Sequence, residues 1–472
     1  MASFGGSLVP FNLSLTPFIE LTFLELIVIV ITQAAIAAII IYIIRRAYLK
    51  KFEHIKITGP LIMWRSQKGL KTLDSIAKKW PRFWAAYGDL GVVLAFGFVG
   101  AMYLMKEKPL LKRVAWSLLS TAFLFLLIPP FNPLLPNSLY PALGAIMFFF
   151  GFSGWLSSIL GVMTFSLISD FLLGNPLSAG AAPAIPGVKI QGSPFTIPWY
   201  GWLTFPIFMI VHEACHGILS RLAGIKVKNA GLMMLGFFPM GAFVEPDEEE
   251  INKASTRDKL RVFAAGSMAN YCLALLIVIF FFFFAPVLQA TGFNDAIQPE
   301  RPLIVGLAPG YDACEKMSPH LGDGIVLEAV NGTQVVEVQD AVDAISANVN
   351  GSAVLLETDK GDFAVKPKDG MVGISSLVQS WKPLPVSFEI IMLSINFLYI
   401  LMLFSTLIGI MNLLPMFILD GGLMFETILE ERFGKRKAGL IFMFVGALLL
   451  LFLLANISPL FFVGSAAPTC MP

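Results

Sequence analysis

The stretch "MIVHEACHGIL", Met209 to Leu219, holds two of the chain's four histidines, four residues apart around a glutamate. The residues before it read like the inside of a lipid bilayer, so a metal-hydrolase motif is set in membrane-like sequence. On a helix, positions four apart lie on one face, and His212 and His216 can both direct an imidazole nitrogen at a single ion. Zinc accepts such ligands. In H-E-x-x-H the intervening Glu213 lies beside the ion, where it can take a proton from a water that the ion polarises. A Glu and two His at membrane depth are unfavourable unless paired or functional, so histidines that merely bond to carbonyls are the weaker reading.

Composition points to the same environment. Apolar residues make up 56% of the 472 residues, charged ones 14%, and there are 42 phenylalanines, a balance found in membrane proteins rather than in soluble multidomain chains. The net charge is +1, and the basic residues stand in short runs beside apolar segments, which excludes nucleic acid as a partner. Four cysteines (Cys215, Cys272, Cys314, Cys470) form no CxxC pair, so the sequence indicates neither a disulfide scaffold nor a cysteine-built zinc site, and they read as small fillers.

A helix crossing the hydrocarbon needs about 20 apolar residues. Stretches meeting or approaching this occur at 21–44, 88–105, 114–129, 141–173, 199–222, 260–286, 387–414 and 438–463, which predicts eight spans. The first has Arg45 and Arg46 behind it, unlike a signal peptide, and is a retained anchor. Stretch 141–173 is too long for an upright span, so it is either one tilted helix or a hairpin broken near Gly151 and Gly154. The basic loop from Arg45 to Arg82, which includes Lys50 and Lys51, is cytoplasmic by the positive-inside rule. Both termini then lie outside, although "KEKPLLKR" at 106–113 falls on the wrong side of that topology.

Residues 287–386 differ from their surroundings. Charges return, apolar runs shorten to strand length, and Asn331-Gly332 between "GIVLEAV" and "TQVVEV" is a strong hairpin signal. This predicts a soluble, extracytoplasmic domain inserted between two spans. The chain thus divides into an N-terminal region 1–140, a first core part 141–286, the insertion 287–386, and a second core part 387–472.

A catalytic zinc needs a third protein ligand and an open position. No histidine follows the motif until His320, and the acidic run "EPDEEE" at 245–250 reads as a solvated turn. Asp420, a lone acid closing the apolar "MNLLPMFILDGG" at 411–422, is the alternative; taken in isolation, a helix cap or an interfacial acid is the weaker reading of it. His54 and His320 lie in polar surroundings and read as solvated.

With "HEACH" at 212–216 and "NLLPMFILDGG" at 412–422, the chain resembles the site-2 protease family of intramembrane zinc metalloproteases, whose motifs are HExxH and NxxPxxxxDG. The segment 241–270, with Gly266 and Asn270 in a GxxxN pattern, is similar to the one that follows the family's first motif. The resemblance implies that His212, His216 and Asp420 bind Zn2+ and that Glu213 is the general base and later the proton donor. It implies that Asn412 and Asn270 hold the peptide or its oxyanion, and that Pro415 bends or ends its helix. The Gly-rich segment 229–245 would form a membrane-embedded hairpin or loop whose edge pairs with an extended substrate. The insertion resembles a PDZ domain through "LGDGIVLEAVNG" and the helix after Asp340, which implies contact with peptides or substrate ectodomains. The spans before residue 140 match neither pattern and read as an accessory bundle.

The expected protein is therefore an α-helical, polytopic membrane protein with about eight transmembrane helices and an inserted PDZ-like α/β domain. Its expected activity is zinc-dependent hydrolysis of peptide bonds in single-span or anchored membrane proteins, in contact with the lipid bilayer. The competing reading is a membrane transporter or zinc-dependent receptor using the same His212, His216 and Asp420.

Overall fold

The computed structural model describes residues 19–48, 55–58, 61–104, 109–127, 140–175, 177–190, 196–235, 238–308, 310–321, 324–350, 353–368, 370–382, 385–417 and 419–462. Lys50, Lys51, His54 and Cys470 lie outside them. Phe18–Ile279 with Phe397–Phe461 form one compact unit, and Phe280–Asn396 belong to a second.

The first unit opens with β1 (Ile19–Leu21), α1 (Phe23–Tyr48), the hairpin β2 (Ile55–Thr58) and β3 (Leu61–Ser66), then α2 (Leu70–Lys79), α3 (Pro81–Leu104), α4 (Leu110–Leu127) and α5 (Tyr140–Leu173). β4 (Val188–Ile190) pairs in parallel with β1. A 3₁₀ turn at Trp199–Thr204 leads into α6 (Phe205–Leu222), followed by β5 (Val227–Leu235), β6 (Phe238–Pro246), α7 (Glu248–Lys253) and α8 (Thr256–Ala290). After the insertion come α12 (Val386–Met411), α13 (Asp420–Phe433) and α14 (Lys435–Ile457), with α9 to α11 belonging to the insertion. Seven helical segments among the described residues are long and apolar enough to cross a membrane, one fewer than the eight expected. α4, at the expected span 114–129, is the one outside that set.

The long stretch 141–173 is a helix interrupted at Gly151, where φ is 62° and ψ is −157°. α3 is interrupted in the same way at Gly97, with φ 57° and ψ −137°. The two breaks face each other. A Cβ on Gly97 would lie 2.6 Å from the Gly151 backbone nitrogen, and one on Gly151 would overlap the Leu94 carbonyl. Positive φ and so close an approach of two backbones both demand glycine.

The segment 229–245, expected as a hairpin or loop, is the hairpin of β5 and β6, paired from Val227↔Pro246 to Leu235↔Phe238. It is half of a larger sheet. β3 pairs with β5 from Leu61↔Leu235 to Ser66↔Ala230, giving the order β2-β3-β5-β6 with β6 at an edge. In the sequence β2 and β3 lie within the basic loop from Arg45 to Arg82, because a strand pairing across more than 160 residues leaves no local signal.

The second unit contains α9 (Phe293–Ala296), β7 (Pro299–Leu307), α10 (Asp312–Met317), β8 (Ile325–Val330), β9 (Thr333–Gln334), α11 (Val338–Asn348), β10 (Val354–Thr358), β11 (Gly361–Val365) and β12 (Ile374–Trp381). Its antiparallel sheet runs β11-β10-β8-β7-β12, with β9 folded onto β8. Asn331 and Gly332 have φ of 47° and 79° and join β8 to β9, the conformation that the Asn-Gly pair predicts for a tight hairpin. Asp340 is the third residue of α11 and forms a capping box with Glu337. Ile304, Met317, Ile325, Leu327, Val354 and Leu356 form a buried core. Cys215 and Cys272 are free, but Cys314 is disulfide-bonded, which the reading of four unpaired fillers did not anticipate.

Candidate metal and catalytic site

α6 carries the first motif. Pro206 sits at its first turn, where a missing N–H removes no helical bond, and Phe205 and Phe208 pack against Phe404 of α12. His212 and His216 therefore project from one face, with their Nε2 atoms 3.2 Å apart.

α12 stops at Met411, and residues 412–417 form an irregular turn before α13 begins at Asp420. Pro415 thus lies in the turn, four residues past the helix end, rather than bending the helix itself. The turn folds back on the start of α13. The Gly421 N–H donates to the Asn412 carbonyl at 2.7 Å, and a Cβ on Gly421 or Gly422 would overlap the backbone of Leu413 or Met416. The two glycines after Asp420 are what permit this approach. Asp420 is consequently held at a helix N-terminus, where the aligned peptide dipoles favour an anion.

The three side chains converge. Asp420 Oδ2 lies 3.3 Å from the Nε2 of His212 and 3.3 Å from that of His216, and the three form a cluster of metal-ligating type. Asp420 Oδ2 is buried and accepts no hydrogen bond. The donor set fits zinc. Ligands at about 2.0–2.1 Å in a tetrahedron are separated by about 3.3–3.4 Å, which is the spacing of these three atoms. α8 supplies the remaining wall: a Cβ on Gly266 would overlap both Nε2 atoms, so the hydrogen side of this glycine makes room for the cluster.

The distal ring nitrogens are held as ligating histidines require. His216 Nδ1 donates to the Val262 carbonyl at 2.7 Å, which leaves its Nε2 lone pair facing Asp420. Asn270 lies 3.2 Å from His212 Nδ1 through its amide group. Ligation through Nε2 leaves the proton on Nδ1, so the Asn270 amide must turn its oxygen to that nitrogen; Oδ1 has no other hydrogen bond to lose. Asn412 Nδ2 lies 3.4 Å from His212 Nε2 and so borders the cluster. Glu213 Oε2 accepts from the Val244 N–H of β6 at 2.9 Å.

His212, His216, Asp420, Asn412 and Asn270 are thus brought to one locus with Glu213 beside them, and His320 is exposed in the second unit. At the base of the hairpin, the Lys228 ammonium hydrogen-bonds Asp247 at 2.9 Å and holds its carboxyl below the usual value. Asp247 in turn caps α7 through the N–H groups of Glu249 and Glu250, so the acidic run begins a capped helix. Val262 and Val244 act through backbone atoms and so carry no side-chain signal in the sequence.

A model of peptidase family M50 matches residues 200–453, which span α6 through most of α14. An uncharacterized protein of Methanocaldococcus jannaschii is 28% identical over 280 residues, covering 57% of this chain and 69% of its own length.

Proposed function

The chain belongs to peptidase family M50, the membrane-embedded zinc metalloproteases of site-2 protease type, and on that premise we propose that it hydrolyses peptide bonds in or near the membrane segments of single-span or anchored proteins, with Glu213 as general base. The observation that carries this reading is the meeting of His212, His216 and Asp420 at 3.2–3.3 Å, one residue from Glu213.

Zinc held by these three residues would supply Lewis acidity to water and to the scissile carbonyl. Glu213 takes the proton of the attacking water and returns it to the leaving amine. Its carboxylate is oriented for this by the Val244 N–H. Asn412 Nδ2 donates to the carbonyl oxygen as charge develops there, while Asn270 orients His212 from behind. A peptide bond inside a membrane helix is protected by its own hydrogen bonds, so the substrate must be partly unwound first. β6 offers a sheet edge for the unwound chain, and because its Val244 N–H points to Glu213, a strand added there runs past the general base.

The insertion is proposed to lie outside the cytoplasm and to contact peptide or ectodomain as a PDZ-like module; the disulfide at Cys314 supports an oxidising compartment. The test is cleavage of a single-span substrate in detergent by wild type and Glu213→Gln, with zinc measured on both. About one zinc per chain on each, with cleavage by wild type alone, is expected. Equal cleavage by the variant refutes the role of Glu213. Zinc on both with cleavage by neither, together with zinc flux in proteoliposomes, favours the transport reading.

A further inference from the structure

α8 presents two opposite faces to two different helices. Val262, Gly266 and Asn270, four residues apart, form one stripe, and all three meet the ligand histidines. Arg257, Arg261, Ala264 and Met268 form another, which at about 100° per residue lies on the opposite side of the helix. This second stripe meets α3. Gly88 of α3 has no room for a Cβ against Arg261, whose Cβ would be 2.8 Å away, and Gly91 would place one 3.1 Å from Ala264. Tyr87 Oη donates to the Ala265 carbonyl at 3.0 Å.

At the centre of this contact is Asp89, only 8% exposed. Its carboxylate accepts both forks of two guanidinium groups: Arg261 Nε and Nη2 at 2.8 Å each, and Arg257 Nε and Nη2 at 3.3 and 2.7 Å. These four bonds use the acceptor sites that a carboxylate offers. Bidentate pairs fix geometry as well as charge, and two on one carboxylate leave the first turns of α8 little freedom to rotate or slide. Arg261 immediately precedes Val262, whose carbonyl holds His216. A small rotation of α8 would draw that carbonyl off the imidazole and turn the Gly266 flank into the space of the ligand nitrogens.

We propose that Asp89 is a positioning residue of the metal site: through Arg257 and Arg261 it sets the axial rotation of α8, and with it the orientation of His216 and His212. α3 lies outside the segment matched by the family model, so a helix of the N-terminal region completes the support of the histidines. The inference rests on the zinc reading above and adds to it a residue that touches neither metal nor substrate.

The experiment uses the full-length protein in detergent, loaded with Co2+, with ligand-field absorption recorded and the dissociation constant obtained by chelator competition. Asp89→Asn is expected to bind cobalt about 10- to 100-fold more weakly, the range for groups that orient metal ligands, with shifted absorption bands. Asp89→Glu should recover part of both. Asn456→Ala, which removes a buried amide bonded to Thr164 and Phe452, is the control for lost stability and should leave affinity and bands unchanged. A folded Asp89→Asn with wild-type affinity and bands overturns the proposal, as does an Asn456→Ala that alters them equally. If Asp89→Asn does not fold, Arg261→Lys decides, because it keeps the charge and loses the fork: a wild-type spectrum and affinity there overturn the proposal. If wild type binds no cobalt in a manner dependent on His212 and His216, the zinc reading itself fails, which is a separate result.

Discussion

The backbone N–H of Val244 donates to the carboxylate of Glu213 at 2.9 Å, so the edge strand of the four-stranded sheet holds the proposed general base. In an edge strand alternate N–H groups point away from the sheet, and Val244 uses one of these to reach α6. Val244→Pro removes this donor while sparing the pairing with β5, since proline is tolerated where the N–H faces outward. A hydrogen bond to a charged group contributes about 1.5–3 kcal/mol, or roughly ten- to a hundredfold in turnover. Turnover of a single-span substrate should fall by that factor with zinc content unchanged.

Gly266→Ala places a methyl group against the Nε2 atoms of both histidines. The added carbon occupies the space of the cluster itself, so metal affinity should fall by at least about tenfold. Chelator competition on purified protein measures this, and the variant should lose zinc before it loses helix content.

The glycines that follow Asp420 make a second steric prediction. Gly421→Ala must displace the backbone of Leu413, and Gly422→Ala that of Met416. Overpacking of this kind costs about 1–3 kcal/mol and moves Asp420 from the cluster, so both variants should show a lower thermal midpoint together with reduced zinc. Gly439→Ala on α14, where nothing lies within 4 Å of the added carbon, should leave zinc content and cleavage at wild-type values.

Asp312 in the inserted unit gives a pH-dependent outcome. The Lys316 ammonium, with the Lys366 N–H, holds its carboxyl below the usual value. A carboxyl lowered on folding contributes stability that is present above its unfolded value, about 3.9, and is lost as pH falls through the folded value. The pair is largely solvated, so the effect is small. The unfolding midpoint of wild type should exceed that of Asp312→Asn at pH 7, and the difference should shrink progressively below about pH 4. A difference that grows on acidification refutes the assignment.

Much of the site was legible because its parts are local. His212 and His216 share a helix face by spacing alone, and the Asn331-Gly332 turn follows from the φ values those residues tolerate. The glycines and Pro239 of 229–245 argued only against a full span; that the segment forms a hairpin or loop was implied by the family resemblance, and it is a hairpin. Asp420 stood out as a lone acid. The reason for its two glycines did not, since that reason is the backbone of Leu413 and Met416 folded against them.

The amino-acid sequence by itself determined the membrane-spanning character, the inserted unit, and which side chains could hold a metal, since these follow from apolar run length, helical periodicity and donor chemistry within a few residues. Only the tertiary structure decided that β3 joins β5 across the chain, that Gly97 and Gly151 break their helices against one another, that Val244 orients Glu213, and that Asp89 clamps the helix behind the histidines. Each of these joins atoms more than 30 residues apart, through backbone groups or close helix contacts that no periodicity records. Their partners become visible only when the chain is packed.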